Sequence, residues 1–371
     1  MIPRAFSDTL ECILLADDLT GACDAAVHFA ARRHPTSAAV SPDCALAGGR
    51  VWAVNTQSRD LGRAAIERLM AKASATLPIG PATAIFKKID STLRGNAGME
   101  TMAAVEAFGC ELAVFAPALP ALGRVVVGGS LRVTGNAQFK SIELARWLRT
   151  QGVAAFAHVG AGAMAGAVAD GARLVSLDAA CDGDLDLIVA EALALRRRIL
   201  WAGSAGLAAA LARALPAGQA AIPAAPRVRG PVLFGIGSTH AATMAQREAL
   251  VAARTIVSMT AAQASAESIA QALAGGSHVW LHIPRGQVAE ATVRALLARA
   301  PAAALALSGG DTAWLVCQAL GVKRIDLERE ILPGIPRGTL RGGEQEGLPV
   351  ATKSGGFGAP DALIQVADHF A

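Results

Sequence analysis

Strand-like apolar runs alternate with amphipathic segments along most of the chain. In the first half, CILLA, RVWAVN, TAIFKKID and ELAVFAP are such runs, and GACDAAVHFAARR, RAAIERLMAKA and AGMETMAAVEAF between them have helical periodicity. Apolar runs separated by amphipathic helices are typical of a mostly parallel sheet that is covered by helices on both faces. The pattern therefore predicts an α/β layered domain.

One segment of the first half departs from this alternation. Residues 123–135, GRVVVGGSLRVTG, place two short β-branched runs on either side of a Gly-Gly-Ser turn, and no helix fits between them. Two such runs joined by a glycine turn are typical of a β-hairpin. We therefore expect a hairpin insertion in the first domain.

A proline-rich stretch interrupts the pattern near the middle of the chain. Residues 216–230, PAGQAAIPAAPRVRG, have no apolar periodicity and therefore have the composition of a linker. Beyond it the alternation resumes with PVLFGIGS, SHVWLHIP and AALALSGG. A chain of 371 residues is long enough for two cores. We predict one domain over residues 1–218 and a second over residues 229–371, each a mostly parallel sheet flanked by helices.

The composition excludes several classes of protein. The net charge of +4 comes without a Lys/Arg run longer than the three arginines 196–198, so we expect no nucleic-acid partner. No stretch approaches the roughly 20 apolar residues that a membrane span requires, and the first apolar run is too short for a signal peptide. We expect a cytoplasmic protein, independent of membranes, with a small anionic substrate.

The six cysteines favour the same compartment. They are scattered, with no C-x-x-C pair and no histidine spacing that would complete a zinc site. We therefore expect unpaired, buried cysteines in a reducing environment.

The first motif with candidate chemistry is ILLADDLTGACD, in which an apolar run ends in Asp17 and Asp18 and a helix follows. The carboxyl end of a strand followed by a helix amino terminus is where open α/β sheets bind ligands, because free N–H groups and the helix dipole point there. A helix cap by Asp18 or Thr20 is the alternative. A cap explains only one of the two carboxylates, so we assign both to a candidate substrate site.

The second motif is FKKIDSTLRGN, residues 86–96, where another strand runs into a polar turn. Lys88, Asp90 and Arg94 lie within seven residues, and strand alternation sends Lys88 and Asp90 to one face. Cations that converge with hydroxyl groups form a receptor for a carboxylate or a phosphate. The alternative is an exposed charged turn, which we disfavour because Lys87 and Lys88 lie inside a strand that otherwise looks buried.

A third strand, RVWAVN, ends in NTQSRD and supplies Ser58 and Arg59. A lone arginine of this kind is most often a solvated surface residue. Here, however, it follows a strand of the same predicted sheet as the first two motifs. Three strands thus direct polar groups to one crevice.

The second half carries three glycine-rich turns, GIGSTH, SGGDTA and KSGGFG, of which the first two follow strand-like runs. Glycines let the backbone approach phosphates closely and form anion-binding nests. The absence of a Gly-Lys pair excludes a Walker P-loop, and His240 replaces the third glycine of a dinucleotide fingerprint. The turns favour a nucleotide site that differs from both. The candidate nucleotide-binding residues are Ser238, Gly309, Gly310, Asp311, Thr312 and Gly355.

Together these motifs resemble the four-carbon acid sugar kinase family. The resemblance rests on ADDLTGACD, the Ser58-Arg59 pair, KKIDSTLRGN, PALPALGR, GSAGLA, the Gly-Ser turn, SGGDTA, LPGIPRG and KSGGFG, in matching order over nearly the whole chain. It implies an ATP-dependent kinase of threonate, erythronate or 3-oxo-tetronate, with an amino-terminal acid-binding domain and a carboxyl-terminal nucleotide domain. The residues that it implies in or beside the acid site are Asp17, Asp18, Ser58, Arg59, Lys88, Asp90 and Arg94.

We expect phosphoryl transfer from ATP and Mg²⁺ across an interdomain cleft, which depends mainly on positioning and charge neutralisation. Asp18 or Asp90 is the expected base, with Lys88 and Arg94 neutralising charge; the sequence does not rank the two aspartates and assigns no metal ligand. Two alternatives are a non-catalytic sensor of a sugar acid and a nucleotide, which would not need paired carboxylates, and an NAD-dependent oxidoreductase. The apolar composition and the resemblance also lead us to expect a homodimer.

Overall fold

The computed structural model describes residues 10–44, 46, 49–134, 139–220 and 229–370. Within these ranges, strands and helices alternate as the apolar pattern predicts. No helix in them is long and apolar enough to cross a membrane. Most of the predicted linker, residues 221–228, and Gly135 at the end of the predicted hairpin lie outside the described residues.

The first half contains the elements that carry the predicted acid site. Its strands are β1 Cys12–Ala16, β2 Thr36–Ala39, β3 Val51–Asn55, β4 Ala84–Lys88, β5 Leu112–Ala116, β6 Arg124–Val127, β7 Ser130–Val133, β8 Ile142–Glu143, β9 Ala157–Val159, β10 Leu174–Leu177 and β11 Ile199–Gly203. Its helices are α1 Leu19–Ala31, α2 Arg63–Thr76, α3 Ala97–Ala107, α4 Leu144–Thr150, α5 Met164–Ala169, α6 Asp182–Ala194 and α7 Ala205–Ala214.

The second half contains the elements that carry the glycine-rich turns. Its strands are β12 Val232–Ile236, β13 Ile256–Thr260, β14 His278–His282, β15 Ala304–Ser308, β16 Arg324–Leu332, β17 Ile335–Arg341 and β18 Pro349–Lys353. Its helices are α8 Ala241–Ala253, α9 Ala266–Ala274, α10 Glu290–Leu297, α11 Gly310–Ala319 and α12 Ala362–Phe370.

Fifteen of the described strands form one sheet, in the order β13-β14-β12-β15-β18-β17-β16-β2-β3-β1-β4-β11-β5-β10-β9. The strands from β2 to β9 in this order pair in parallel, and so do those from β13 to β18. Helices flank the sheet, and strands such as β1, β3 and β11 are buried along their whole length. The prediction of a mostly parallel α/β fold is confirmed.

The two halves share this sheet, which the sequence pattern did not indicate. The β16–β17 hairpin of the second half is antiparallel, and β16 pairs antiparallel with β2 of the first half. The Ser37 hydroxyl on β2 donates a hydrogen bond to Asp326 on β16, with 2.8 Å between the oxygen atoms. The hairpin therefore bridges two parallel sheets edge to edge.

The predicted β-hairpin is present and larger than expected. Strands β6 and β7 pair antiparallel, and β8 adds a third strand to this small sheet. The two turn residues Gly128 and Gly129 have φ angles of 58° and 70°. Two consecutive positive φ angles are the requirement of a tight hairpin turn, and glycine adopts them without steric cost.

The cysteine expectation holds in part. All six cysteines are free, and Cys12, Cys23, Cys110 and Cys317 are buried. The prediction of burial was wrong for Cys181, which is exposed, and for Cys44, which is half-buried. Cys181 precedes α6 as its amino-terminal cap residue, a position that faces solvent.

The strand order places two topological switch points in the sheet. In the first half, β1 lies between β3 and β4, and the chain proceeds to opposite sides of β1. In the second half, β12 lies between β14 and β15 in the same way. Ligands of open α/β sheets bind beyond the carboxyl ends of the strands at such points. The fold therefore provides one candidate binding crevice in each half.

Candidate functional site

The two crevices open into one cleft between the halves. Its volume is about 710 Å³, and it is lined by residues that follow β1, β3 and β4 on one side and β12, β14, β15 and β18 on the other. The lining includes Asp18, Arg59 and Arg94 from the first half and Ser238, Gly310 and Gly355 from the second. Candidate acid-site and nucleotide-site residues thus face the same space.

Asp17, Asp18 and Arg59 form the centre of the acid side. The Arg59 guanidinium donates to Asp17 through Nε, at 2.7 Å, and to Asp18 through Nη2. Asp18 also caps α1, because its Oδ1 accepts hydrogen bonds from the Gly21 N–H at 2.6 Å and from the Thr20 hydroxyl at 2.8 Å. Asp18 therefore satisfies the capping interpretation and still reaches the cleft.

The two carboxyl groups of this pair differ in their electrostatic surroundings. Burial, together with the nearby Asp18 charge, raises the pKa of Asp17. Burial acts in the same direction on Asp18, but the Arg59 guanidinium and the Gly21 N–H hold the pKa of Asp18 below its ordinary value. Asp17 Oδ1 is buried and has no hydrogen-bond partner among the described residues. Of the two carboxyl groups, Asp18 is therefore the one whose charged form its surroundings favour.

Residues of the turn after β4 hold Asp90 in place by hydrogen bonds. Arg94 donates to Asp90 Oδ2 through Nε at 3.1 Å and Nη2 at 2.5 Å, and Thr92 donates to Oδ1. These donors outweigh burial and hold the pKa of Asp90 well below its usual range. Lys88 is buried, and its ammonium group donates to the Ile89 carbonyl oxygen at 2.9 Å. Lys88 makes no ion pair among the described residues and does not itself line the cleft, but its charge lies close enough to Asp18 to help lower the pKa of Asp18.

Ser58 lies deeper than the sequence suggested. Its side chain is fully buried and shares a hydrogen bond of 2.7 Å with the Thr56 hydroxyl. Ser58 does not line the cleft, whereas the neighbouring Arg59 does. Lys87, on the opposite face of β4 from Lys88, forms a buried ion pair with Glu100 at 2.5 Å and so belongs to the core.

Sequence reasoning assigned no role to two further charged residues near this turn. Burial raises the pKa of Asp24 on α1 to about 7, although the Lys88 charge opposes the shift. Arg124 on β6 lies 5.1 Å from the ring centre of Phe357 in the second half, and its Nε is buried without a partner in the described part of the chain. Asp24 follows Asp18 by six residues in the quoted motif, and Arg124 ends PALPALGR, so both lay within segments that the resemblance had already singled out.

On the nucleotide side, three turns pack against one another. The Ser238 hydroxyl accepts a hydrogen bond of 3.3 Å from Thr243, and a Cβ at Gly355 would overlap the Ser238 side chain. A Cβ at Gly237 would likewise overlap Thr312 Oγ1. Gly309 has a φ angle of 102°, which brings α11 to begin at Gly310 with its amino terminus beside the cleft. The glycines are therefore required for close approach of the turns.

Lys353 stabilises the third glycine-rich turn, KSGGFG, through the backbone carbonyl groups of that turn. Its ammonium group donates to the carbonyl oxygens of Ser354, Gly355 and Phe357 at 3.1 to 3.2 Å. With the carbonyls drawn inward, the N–H groups of Gly355 and Gly356 have no partner within the described residues. Burial lowers the pKa of Lys353 to about 7. Free N–H groups backed by a cation and placed near a helix amino terminus suit a phosphate.

Several contacts join the two sides directly. A Cβ at Gly310 would lie 2.8 Å from the Asp18 Cβ and Cγ atoms, so the start of α11 touches the acid side. Arg285 donates to Asp60 of the first half at 2.7 Å and to Asp311 at 2.6 Å. The structure thus brings Asp18 and Gly310 together at the junction of the predicted acid and nucleotide sites.

The chemistry of the donor set fits a magnesium ion carried by a nucleotide. Among the described residues, no group of three His, Cys, Asp or Glu side chains is arranged to hold a metal. Mg²⁺ at nucleotide sites usually needs only one or two protein carboxylates, because phosphate oxygens and water complete its shell. Asp18 and Asp311 both line the cleft and supply such carboxylates.

The chain is similar to known proteins over nearly its whole length. A family model described as a sugar-binding N-terminal domain matches residues 12–211, and one described as a nucleotide-binding C-terminal domain matches residues 236–363. A D-threonate kinase of Bordetella bronchiseptica is 33% identical, covering 95% of this chain and 96% of the relative. A D-erythronate kinase of Heliobacterium modesticaldum is 27% identical, covering 96% of each chain.

A solved structure supports the fold independently. The structure described as a putative tRNA synthase from Salmonella typhimurium superposes with a TM-score of 0.77 at 22% identity, covering 98% of this chain and all of that one. At this identity the likeness concerns the fold alone. The two domain matches and the relative at 33% identity over 95% of the chain bear on the family as well as on the fold. On this evidence, the chain belongs to the four-carbon acid sugar kinase family.

Proposed function

We propose that this protein transfers the γ-phosphoryl group of ATP to a hydroxyl, the terminal one, of a four-carbon sugar acid. The single observation that carries the proposal is the shared cleft, which has cations and carboxylates on one wall and glycine turns on the other. In this assignment residues 1–218 bind the acid and residues 229–371 bind the nucleotide. The sensor and oxidoreductase alternatives gain no support, because the relatives are kinases.

The acid is proposed to bind among the charged residues at the carboxyl ends of β1, β3 and β4. Lys88 and Arg94 neutralise the carboxylate and the transferring phosphoryl group. Arg59 keeps Asp17 and Asp18 in place through its two-pronged contact. Ser58 contributes through its hydrogen bond with Thr56, which supports the strand end that carries Arg59. Charged groups of this kind select a small anion over a neutral sugar.

The nucleotide is proposed to place its phosphates against the three glycine turns. The N–H groups of Gly355 and of the first turn of α11, at Gly310 to Thr312, supply donors, and the Ser238 hydroxyl adds another. Gly309 provides the backbone turn that aims α11 at the cleft. Mg²⁺, held by Asp311 when bound with ATP, would neutralise charge on the phosphates and leave Asp18 to the acceptor hydroxyl.

Of the two candidate bases, Asp18 suits the reaction better than Asp90. Both carboxylates already accept hydrogen bonds, Asp90 from Arg94 and Thr92 and Asp18 from Arg59, Thr20 and the Gly21 N–H, but of the two only Asp18 lines the cleft. Asp18 lies against Gly310, where the acceptor hydroxyl and the γ-phosphate would meet. We therefore assign Asp18 the role of orienting the hydroxyl and accepting its proton. Phosphoryl transfer demands positioning more than a strong base, so a lowered pKa is compatible with this role.

The Asp18→Asn variant tests this role without removing the helix cap, since asparagine caps helices as well as aspartate does. We expect kcat to fall by about 100-fold or more, and Asp90→Asn to act mainly through a higher KM for the acid. A kcat within a few-fold of the parent in Asp18→Asn, whatever the kcat of Asp90→Asn, would overturn the assignment.

The acid itself is proposed to be threonate, ahead of erythronate and 3-oxo-tetronate. The relative with the higher identity is a D-threonate kinase, and the D-erythronate kinase is less similar. A coupled assay of ADP release across the stereoisomeric four-carbon acids, with five- and six-carbon acids as controls, tests both the kinase activity and the choice of acid. If no acid stimulates ADP release, the kinase proposal is refuted. A preference for a longer acid or a neutral sugar would refute the substrate class alone.

A homodimer is the proposed assembly, as the composition and the family resemblance suggest. Light scattering at micromolar concentration measures it directly. A monomeric mass would refute this part of the proposal.

A further inference from the structure

Phe357, in the third glycine-rich turn, places its ring in the opposite half of the molecule. The residue follows β18 and is buried, and its ring packs against Leu119 and Ala205 of the first half. Leu122, also of the first half, is partly buried against the same cluster. A Cβ at Gly334, in the turn between β16 and β17, would overlap the Phe357 ring. The ring is therefore enclosed where the two halves and the bridging hairpin meet.

The backbone of Phe357 is fixed on the nucleotide side instead. Its N–H donates to the Ser354 carbonyl oxygen at 3.1 Å, and its own carbonyl oxygen accepts from Lys353 Nζ at 3.2 Å and from Gln246 Nε2 at 2.9 Å. Gly355, which is proposed to lie at the phosphates, precedes Phe357 by two residues. Because closely packed groups transmit displacements, a shift of the ring in the first half is passed to the turn that faces the phosphates.

Arg124 extends this contact to the acid side. Its guanidinium lies 5.1 Å from the centre of the Phe357 ring, a distance at which a cation is attracted to an aromatic face. Burial lowers the pKa of Arg124, and the charges of Asp90 and Asp24 oppose this shift. Asp90 in turn accepts hydrogen bonds from Arg94, which lines the cleft. Arg124 therefore lies within electrostatic reach of the acid-side carboxylates and touches a residue of the nucleotide side.

The two ligands act on opposite ends of this set of contacts. An acid bound beside Arg94 changes the charge around Arg124. A phosphate bound at Gly355 holds the turn that carries Phe357. A ligand that orders an element shared by both sites lowers the entropy cost of ordering it for the second ligand, so each ligand binds more tightly when the other is present. By thermodynamic linkage, the factor is the same in both directions.

We propose that Phe357 is a positioning residue that couples the acid site to the nucleotide site through its contacts with Arg124 and Leu122. The inference rests on the proposed function, because it assumes that both ligands bind in the cleft. It adds a physical cause for cooperative binding of the two substrates. If the ring served only the stability of the fold, its loss would lower the free energy of unfolding and leave the coupling between the ligands unchanged.

The test measures the binding of two ligands that cannot react with each other. Calorimetry gives the Kd of ADP without and with saturating threonate, and the Kd of threonate without and with saturating ADP. In the parent, each ligand should tighten the binding of the other by the same factor, at least about fivefold. In Phe357→Leu, which keeps an apolar side chain but loses the aromatic face, this coupling factor should fall below about twofold, while the Kd of each ligand alone stays within about threefold of the parent.

Phe370→Leu is the matched control. Phe370 of α12 is also buried, and the Arg337 guanidinium lies 5.3 Å from its ring centre, but both residues belong to the second half. The control therefore loses a similar aromatic contact away from the junction and should keep the parent coupling factor. Leu122→Ala approaches the same contact from the first half and leaves the glycine turn intact, so it should lower the coupling factor as Phe357→Leu does.

Each outcome bears on one level of the inference. A coupling factor in Phe357→Leu that equals the parent's, or a parent whose two ligands bind independently, would overturn the coupling role and leave the kinase proposal standing. An equal loss of coupling in Phe370→Leu would also overturn the specific role of Phe357. If melting curves show that Phe357→Leu is unfolded, Leu122→Ala decides the question in the same way. A parent protein that binds neither ADP nor any four-carbon acid would refute the proposed function and this inference with it.

Discussion

Gly310→Ala adds a single methyl group where the two walls of the cleft meet. Gly310 is the first residue of α11, and its new Cβ would lie 2.8 Å from the Cβ and Cγ atoms of Asp18 and 2.9 Å from Asp18 Oδ1. Gly310 does not have a positive φ angle, so alanine causes no backbone strain at this position. The perturbation therefore acts on the spacing between α11 and Asp18.

The size of the effect follows from that spacing. Reaching an ordinary contact distance of 3.4 Å from 2.8 Å requires a displacement of about 0.6 Å. Catalytic groups need to be held to about 0.5 Å, and a misplacement of about 1 Å costs on the order of 100-fold in rate. We therefore expect kcat to fall by roughly 10- to 100-fold. Alanine favours helices over glycine by about 1 kcal/mol, which offsets part of the cost of crowding, so the free energy of unfolding should change little.

The assay is ADP release with the preferred four-carbon acid, combined with urea denaturation of the same preparations. Gly166→Ala is the matched control, because Gly166 also lies in a helix, α5, and a Cβ there meets no atom within 4 Å. The control should keep the parent kcat. A Gly310→Ala enzyme that is folded and retains kcat within threefold of the parent would refute the role of the Asp18 contact.

Three further changes separate stability from nucleotide binding. Lys87→Met leaves the Glu100 carboxylate buried without its partner, so it should lower the free energy of unfolding by about 3 to 5 kcal/mol in urea denaturation; adding Glu100→Gln should restore much of this loss. Burial raises the pKa of Asp24 to about 7, so the native state binds more protons than the unfolded state between about pH 4 and 7, and stability falls as the pH rises through that window. Asp24→Asn should remove this component from melting temperatures at pH 5 and 7.5; an unchanged pH dependence would contradict the shift. Lys353→Met frees the loop carbonyls and should raise KM for ATP about tenfold with little change in KM for the acid, and equal changes in both constants would contradict its nucleotide-side role.

The strand ends that meet in the cleft could be predicted from the sequence. Parallel strands direct their carboxyl ends to one edge, so the polar residues after β1, β3 and β4 had to lie near one another. The structure brings Asp17, Asp18 and Arg59 into direct contact, which agrees with that expectation. Their chemical roles stay predictions, as do the domain boundaries.

The partners of these residues could not be predicted. Sequence spacing placed Asp90 among the candidate bases, but the local turn lets Arg94 and Thr92 occupy its oxygens. Ser58 follows the right strand, yet its side chain is buried and bonded to Thr56. A shift of one position along a strand or turn decides whether a polar side chain faces a cleft or the core. The composition of the segment does not determine that shift.

Local pattern determined the α/β alternation, the hairpin at Gly128 and Gly129 and the positions of the glycine turns, because periodicity and turn chemistry act over a few residues. Only the tertiary structure decided that β16 pairs with β2, that Gly310 touches Asp18 and that the Phe357 ring packs against the first half. These contacts join residues far apart in the chain. Their geometry depends on how whole helices and sheets pack, and no short stretch of the sequence encodes it.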